Sequence, residues 1–212
     1  MLLENKNAVI YGGGGSIGGA VASEFSREGA RVILVGRTRE SLELVANAIK
    51  ADGGAAEVAV FDALDEQAVD EHAQEVVSQL GSIDVSFNLI PRGDVQGIPL
   101  IDMTTDDLLR AVVNGLRSNF ITARAAARRM VEQGFGVILA LDSGSANGSP
   151  MMGSTGPADA ATDTFVRNLA ARSDPTACAS WASGRPAFPR RFRGRSSLRS
   201  TASSKRRQPS RA

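Results

Sequence analysis

Residues 8–22 read Ala8-Val9-Ile10-Tyr11-Gly12-Gly13-Gly14-Gly15-Ser16-Ile17-Gly18-Gly19-Ala20-Val21-Ala22, and this stretch decides the fold. An apolar strand end runs into four consecutive glycines, and a helix start built of small residues follows. The turn bracketed by Gly12 and Gly18 is too tight for side chains. It would bring backbone N–H groups and a helix N-terminus against a phosphate, which predicts a dinucleotide site. Glycines of this kind also suit a βα turn that needs them for packing alone. The strand before, the helix after and the position near the N-terminus favour the phosphate reading.

Working outward, residues 6–11 predict a buried strand, and residues 17–28 a helix closed by Gly29. Residues 31–35 are a second, β-branched strand ending at Gly36-Arg37. Residues 40–50 carry helical apolar spacing in Leu42, Val45, Ala46 and Ile49, broken by Asp52-Gly53-Gly54. Residues 57–61 form a third strand ending at Asp62, residues 66–80 a helix ended by Gly81, and residues 83–88 a fourth strand. Thr104-Thr105-Asp106-Asp107 reads as a helix cap, with a long helix running to 133. Residues 136–141 make a fifth strand, and residues 157–171 a last helix. Strands alternating with helices at this spacing predict an α/β fold with a doubly wound parallel sheet.

Composition divides the 212 residues in two. Residues 1–171 hold 13 Lys and Arg against 22 Asp and Glu, a net charge of −9. Residues 172–212 hold 11 against one, a net of +10, with no Val, no Ile and Leu198 as their only leucine. Such a segment cannot bury enough apolar surface to offset the entropy of ordering, so it reads as a disordered basic tail without strands. Its Arg, Ser, Ala and Pro content suits a GC-rich gene read out of frame, or equally a natural basic extension. Its charge would bind nucleic acid and other polyanions only non-specifically, because no aromatic stacking platform accompanies it. Cys178, the single cysteine, cannot form an internal disulfide. With no signal segment and no membrane-length apolar run, a cytoplasmic location is expected. One His and one Cys give no support to metal chemistry.

Residues 5–171 resemble the short-chain dehydrogenase/reductase family, Rossmann-fold oxidoreductases that use nicotinamide cofactors. The family loop T-G-x-x-x-G-[IL]-G is matched by residues 11–18, with Tyr11 in the threonine place and Ser16 in that of the middle glycine. The resemblance implies cofactor contacts from Gly12, Gly15, Ser16, Ile17 and Gly18. After the second strand, an acid would bind the ribose 2′-hydroxyl of NAD, whereas an arginine accommodates the 2′-phosphate of NADP. This chain has Arg37 there, and NADP is expected, with NAD the lesser alternative. Asp62 falls where the family's acid reaches the adenine amino group, and its other reading is a cap on the helix that starts near Asp65.

Asn88 matches the first residue of the family's N-N-A-G, here Asn88-Leu89-Ile90-Pro91. Asn114 falls on the helix asparagine that helps to hold a proton-relay water. Ser143 occupies the catalytic serine position, beyond the fifth strand. The family's Y-x-x-x-K pair, however, falls on Gly156 and Ala160. No shifted pair replaces it, since Tyr11 is the only tyrosine and the lysines are Lys6, Lys50 and Lys205. His72 is expected to face solvent.

The resemblance thus implies an NADP(H)-binding oxidoreductase acting on a carbonyl or alcohol, with impaired catalysis. The competing reading is a catalytically silent dinucleotide-binding or partner subunit. A homo-oligomer through the helices at 104–133 and 157–171 is a further expectation.

Overall fold

A computed structural model of the chain describes residues 1–172 and 178–179. Its strands are β1 (Asn7–Tyr11), β2 (Arg31–Gly36), β3 (Ala55–Val60), β4 (Val85–Asn88), β5 (Val137–Ala140) and β6 (Cys178–Ala179). The helices are α1 (Ser16–Arg27), α2 (Arg39–Ala51), α3 (Glu66–Leu80), α4 (Thr105–Gln133) and α5 (Thr155–Arg172). All six strands are parallel, in the order β3-β2-β1-β4-β5-β6. This is a Rossmann-type doubly wound sheet, and its order reverses at β1, where the glycine turn sits.

Side-chain alternation along the central strands builds two cores. Ala8, Ile10, Val32 and Leu34 point to one face and pack with Ala22 of α1 and Leu42, Ala46 and Ile49 of α2. Val9, Tyr11, Ile33 and Val35 point to the other, against Val69, Ala73 and Val76 of α3 and Ile121, Ala125 and Met130 of α4. Strands buried on both faces have to be continuously apolar, as β1 and β2 are.

Helix ends follow their local chemistry. Asp65 caps α3 by accepting from the N–H groups of Gln67 and Ala68, and Thr104 caps α4 by accepting from that of Asp107. Gly81 and Gly134 end these helices at φ 87° and 80°, in the left-handed region. The cap on α3 is therefore Asp65, whose carboxylate lies the right distance before the first turn. Asp62 instead accepts from the N–H of Leu64, within the turn that precedes it.

Two expectations need correction. The segment after Arg172 does contribute a strand, because Cys178 and Ala179 pair with Val137 and Ile138 of β5. Pairing at a sheet edge uses main-chain groups alone, so a two-residue strand needs no β-branched signal. The expectation of disorder for the rest of that segment lies outside the described residues, while the boundary placed at 171/172 falls at the last residue of α5, which ends at Arg172.

His72 is the second correction. It packs its ring 5.1 Å from that of Phe61, and its Nδ1 is buried without a hydrogen-bond partner. Burial lowers its pKa from the ordinary 6.5, against weaker opposing pulls from Glu75 and Glu57. Above pH 6.5 the imidazole is neutral in both folded and unfolded chains. Below it the unfolded chain binds a proton that the folded chain resists, so stability falls as the pH drops. His72→Phe should flatten this dependence. Urea unfolding of both proteins at about pH 7.5 and about pH 5.5 checks it, either side of the imidazole value. An equal loss in the two would contradict it.

Among the described residues, no helix is long and apolar enough to cross a membrane. Leu109, Val113, Leu116 and Phe120 leave an exposed apolar stripe along α4.

Candidate functional site

The glycine turn is held by close approaches that exclude a Cβ. A side chain on Gly12 would meet the Leu89 carbonyl oxygen at 2.6 Å, and φ there is +80°. At Gly18 a side chain would strike the Gly12 carbonyl. Gly12 N–H donates to the Val35 carbonyl at 2.8 Å, which ties the turn to the end of β2. Helix α1 then opens at Ser16, with Gly15 as an N-cap that has no side-chain cap bond. The first-turn N–H groups of Ser16, Ile17 and Gly18 therefore have no capping side chain in front of them.

These residues face a cleft of about 470 Å³ beyond the carboxyl ends of β1, β2 and β4. Gly12, Gly15, Ser16, Ile17, Gly18, Arg37, Asp62 and Asn114 all line it, together with Phe61, Ile90 and Pro91. Uncapped N–H groups at a helix start, glycines that let the backbone approach, and an exposed arginine suit a dinucleotide's phosphates and ribose. Arg37 Nη1 lies 3.9 Å from Asp62 Oδ2, and both side chains are exposed.

Asn88 is placed differently. It is buried, its Nδ2 donates to Ser118 Oγ at 3.1 Å, and its Oδ1 accepts from Ile90 N–H at 3.1 Å. It shapes the turn after β4 from beneath and does not line the cleft. Asn114 lines the cleft while its Nδ2 donates to the Arg92 carbonyl at 3.3 Å.

Ser143 lies three residues past β5 and is exposed. Its Oγ is 2.7 Å from Asp159 Oδ2 and 2.7 Å from Ser145 Oγ. Asp159 is fully buried at the start of the second turn of α5, between the positions of Gly156 and Ala160. Its Oδ2 also accepts from the N–H groups of Ser143 at 3.1 Å and Ser145 at 3.0 Å. Its Oδ1 pairs with Arg92 Nη1 at 2.9 Å. Arg92 in turn holds Asp94, through Nη2 at 2.9 Å and Nε at 3.2 Å. A side chain on Gly115 would meet Arg92 Cδ at 2.6 Å, so the glycine in α4 makes room for the arginine stem.

The ion pair thus joins the segment after β4 to α5 across the mouth of the sheet. The partners stand 67 residues apart, and neither carries a local motif. Nearby, Asp163 is held above its ordinary carboxylate value by burial and by its hydrogen bond to Asp142, so Asp163 retains a proton more readily than a free carboxylate.

Tyr11 has no route to the chemistry. It is 2% exposed inside β1, and burial pushes its phenol above the ordinary range. Gly156 and Ala160, where the family's tyrosine and lysine would stand, instead line a second cavity with Ser145.

A doubly wound parallel sheet with a glycine turn at its switch point is the framework of nicotinamide-dependent oxidoreductases. A family model described as enoyl-(acyl carrier protein) reductase matches residues 13–177. The chain belongs to the short-chain dehydrogenase/reductase family, whose members bind nicotinamide dinucleotides. It is 35% identical over 136 residues to the uncharacterized oxidoreductase YxbG of Bacillus subtilis (strain 168), covering 64% of this chain and 50% of that protein. It is 30% identical over 172 residues to the versicolorin reductase of Emericella nidulans, covering 79% and 63%. An NAD+-bound xylitol dehydrogenase structure aligns with a TM-score of 0.76 at 27% identity, over 88% of this chain and 74% of that one. The chain spans about half to under two-thirds of the length of these curated relatives.

Proposed function

We propose that the chain is an NADP(H)-binding oxidoreductase whose hydride transfer between a carbonyl and an alcohol is slow. Residues 1–171 would act as the dinucleotide-binding domain. The carrying observation is the shared cleft, where an uncapped helix start and the exposed Arg37 face the same space. The N–H groups of Ser16, Ile17 and Gly18 would hold the pyrophosphate, and Arg37 the 2′-phosphate. Asp62 would be left to the adenine edge. When bound, the dinucleotide supplies or accepts the hydride. The protein's own share is to position the reacting carbon and handle a proton at its oxygen.

That share is reduced. A positioned acid or base contributes about 10²- to 10⁴-fold. Gly156 and Ala160 have no group that can serve, and Tyr11 is locked in the sheet. Trace turnover with simple carbonyl substrates follows from this. The reading differs from that of a silent subunit in that Ser143 stays exposed, and Ser145, whose Oγ lies 2.7 Å from that of Ser143, lines a cavity able to take a substrate.

Arg37→Asp tests the cofactor assignment. A guanidinium–phosphate pair is a charge-assisted contact of about 1.5–3 kcal/mol, so NADP+ affinity should fall about tenfold or more. NAD+ affinity should hold or rise. Calorimetric titration of both dinucleotides measures it, and equal losses would mean that Arg37 does not meet the 2′-phosphate.

A further inference from the structure

We propose that the Arg92–Asp159 pair sets the hydrogen-bond polarity of Ser143, so that the site accepts a ligand hydroxyl in preference to a carbonyl. The inference rests on the oxidoreductase reading above and adds a specificity that the family resemblance does not contain.

The geometry leaves one assignment of protons. A carboxylate paired with a guanidinium has acceptor sites only. Asp159 already takes Arg92 Nη1 on one oxygen and two backbone N–H groups on the other. At 2.7 Å from that second oxygen, Ser143 Oγ must be the donor. A hydroxyl has one proton. In the 2.7 Å contact between the two serines, Ser145 is therefore the donor and Ser143 the acceptor. Both hydroxyl protons point inward along a chain that ends at Asp159. What Ser143 presents outward is its remaining lone pair.

A carbonyl oxygen brought to Ser143 would meet a lone pair with a lone pair. An alcohol O–H would donate into it. Asp159 and Arg92 touch no ligand in this scheme and are positioning residues. Their burial makes the polarity hard to reverse, because Asp159 is 0% exposed and Arg92 only 13%.

The body of such a ligand has a place to go. Ser145 lines a cavity of about 470 Å³ whose wall includes Ile98, Leu100, Pro150, Met151 and Met152. Gly156 and Ala160 widen it, because neither projects more than a methyl. The ligand class is therefore an alcohol with an apolar body and one hydroxyl donor at its edge.

The test uses the matched pair 1-phenylethanol and acetophenone, titrated against the full chain by ligand-observed NMR, without turnover. The alcohol should bind about tenfold more tightly, the worth of one hydrogen bond. Ser143→Ala should bring the ratio to about one, because the acceptor is gone. Arg92→Leu with Asp159→Ala removes both charges together and frees the Ser143 proton, and the ratio should again approach one. Should that double variant not fold, Ser143→Ala alone decides, since the residue is exposed. Equal or tighter binding of the ketone to the unmodified protein overturns the proposal, and so does failure of both compounds to bind. A separate titration with NADP+ keeps the two readings apart. Loss of dinucleotide binding with the alcohol preference intact would count against the proposed function and leave the polarity assignment standing.

Discussion

Asp159→Ala is expected to cost about 3–5 kcal/mol of folding stability, the largest effect of any single substitution considered for this chain. The aspartate carboxylate holds the Arg92 guanidinium, two backbone N–H groups and a hydroxyl, all within 3.1 Å. Removing it leaves a nearly buried cation with Asp94 as its remaining ion-pair partner among the described residues, and it orphans the N–H groups of Ser143 and Ser145. Domains of this kind have about 5–15 kcal/mol to lose, so the variant should sit close to unfolding at ordinary temperature. Urea denaturation measures the midpoint. A loss below about 1 kcal/mol, the scale of exposed pairs, would show that the pair is not held as described.

Gly18→Val should weaken dinucleotide binding strongly while leaving most of the fold intact. A Cβ at this position meets the Gly12 carbonyl carbon at 2.9 Å and Gly13 Cα at 3.0 Å, and both are backbone, which cannot swing aside. Overpacking of this kind costs about 1–3 kcal/mol. Relief requires the turn to open, which moves the N–H groups of α1 away from where a phosphate would sit. Affinity should fall about tenfold to a hundredfold. A variant that binds as tightly as the unmodified chain would mean that the turn is a packing device alone.

The turn was legible because its constraint is local. A phosphate-binding turn, its strand and its helix all lie within residues 7–27, so spacing carries the whole signal. The same holds for the caps at Thr104 and Gly81. Asp62 shows where local reading becomes ambiguous, since two aspartates three residues apart both suit a cap and only tertiary position separates them. The Arg92–Asp159 pair was not legible. Neither residue stands in a pattern, and their meeting depends on β4 and β5 lying side by side. One trace existed, because a charged residue inside the small-residue start of α5 has no obvious reason to be there unless it has a partner. Asn88 was noticed for its position, but its amide turned inward to Ser118 could not be inferred from spacing. β6 left no trace, because main-chain pairing at an edge needs no particular side chains.

The most direct test of the central claim is thermal unfolding of the full chain in increasing NADP+. A ligand that binds only the folded state raises stability by about 2.7 kcal/mol at a hundred times its dissociation constant, so the melting temperature should climb steadily with concentration. Gly18→Val should abolish most of that rise. A melting temperature that stays flat up to millimolar dinucleotide, NADP+ and NAD+ alike, in a chain whose circular dichroism shows it folded, would contradict the claim that the turn from Gly12 to Gly18 holds a nicotinamide dinucleotide.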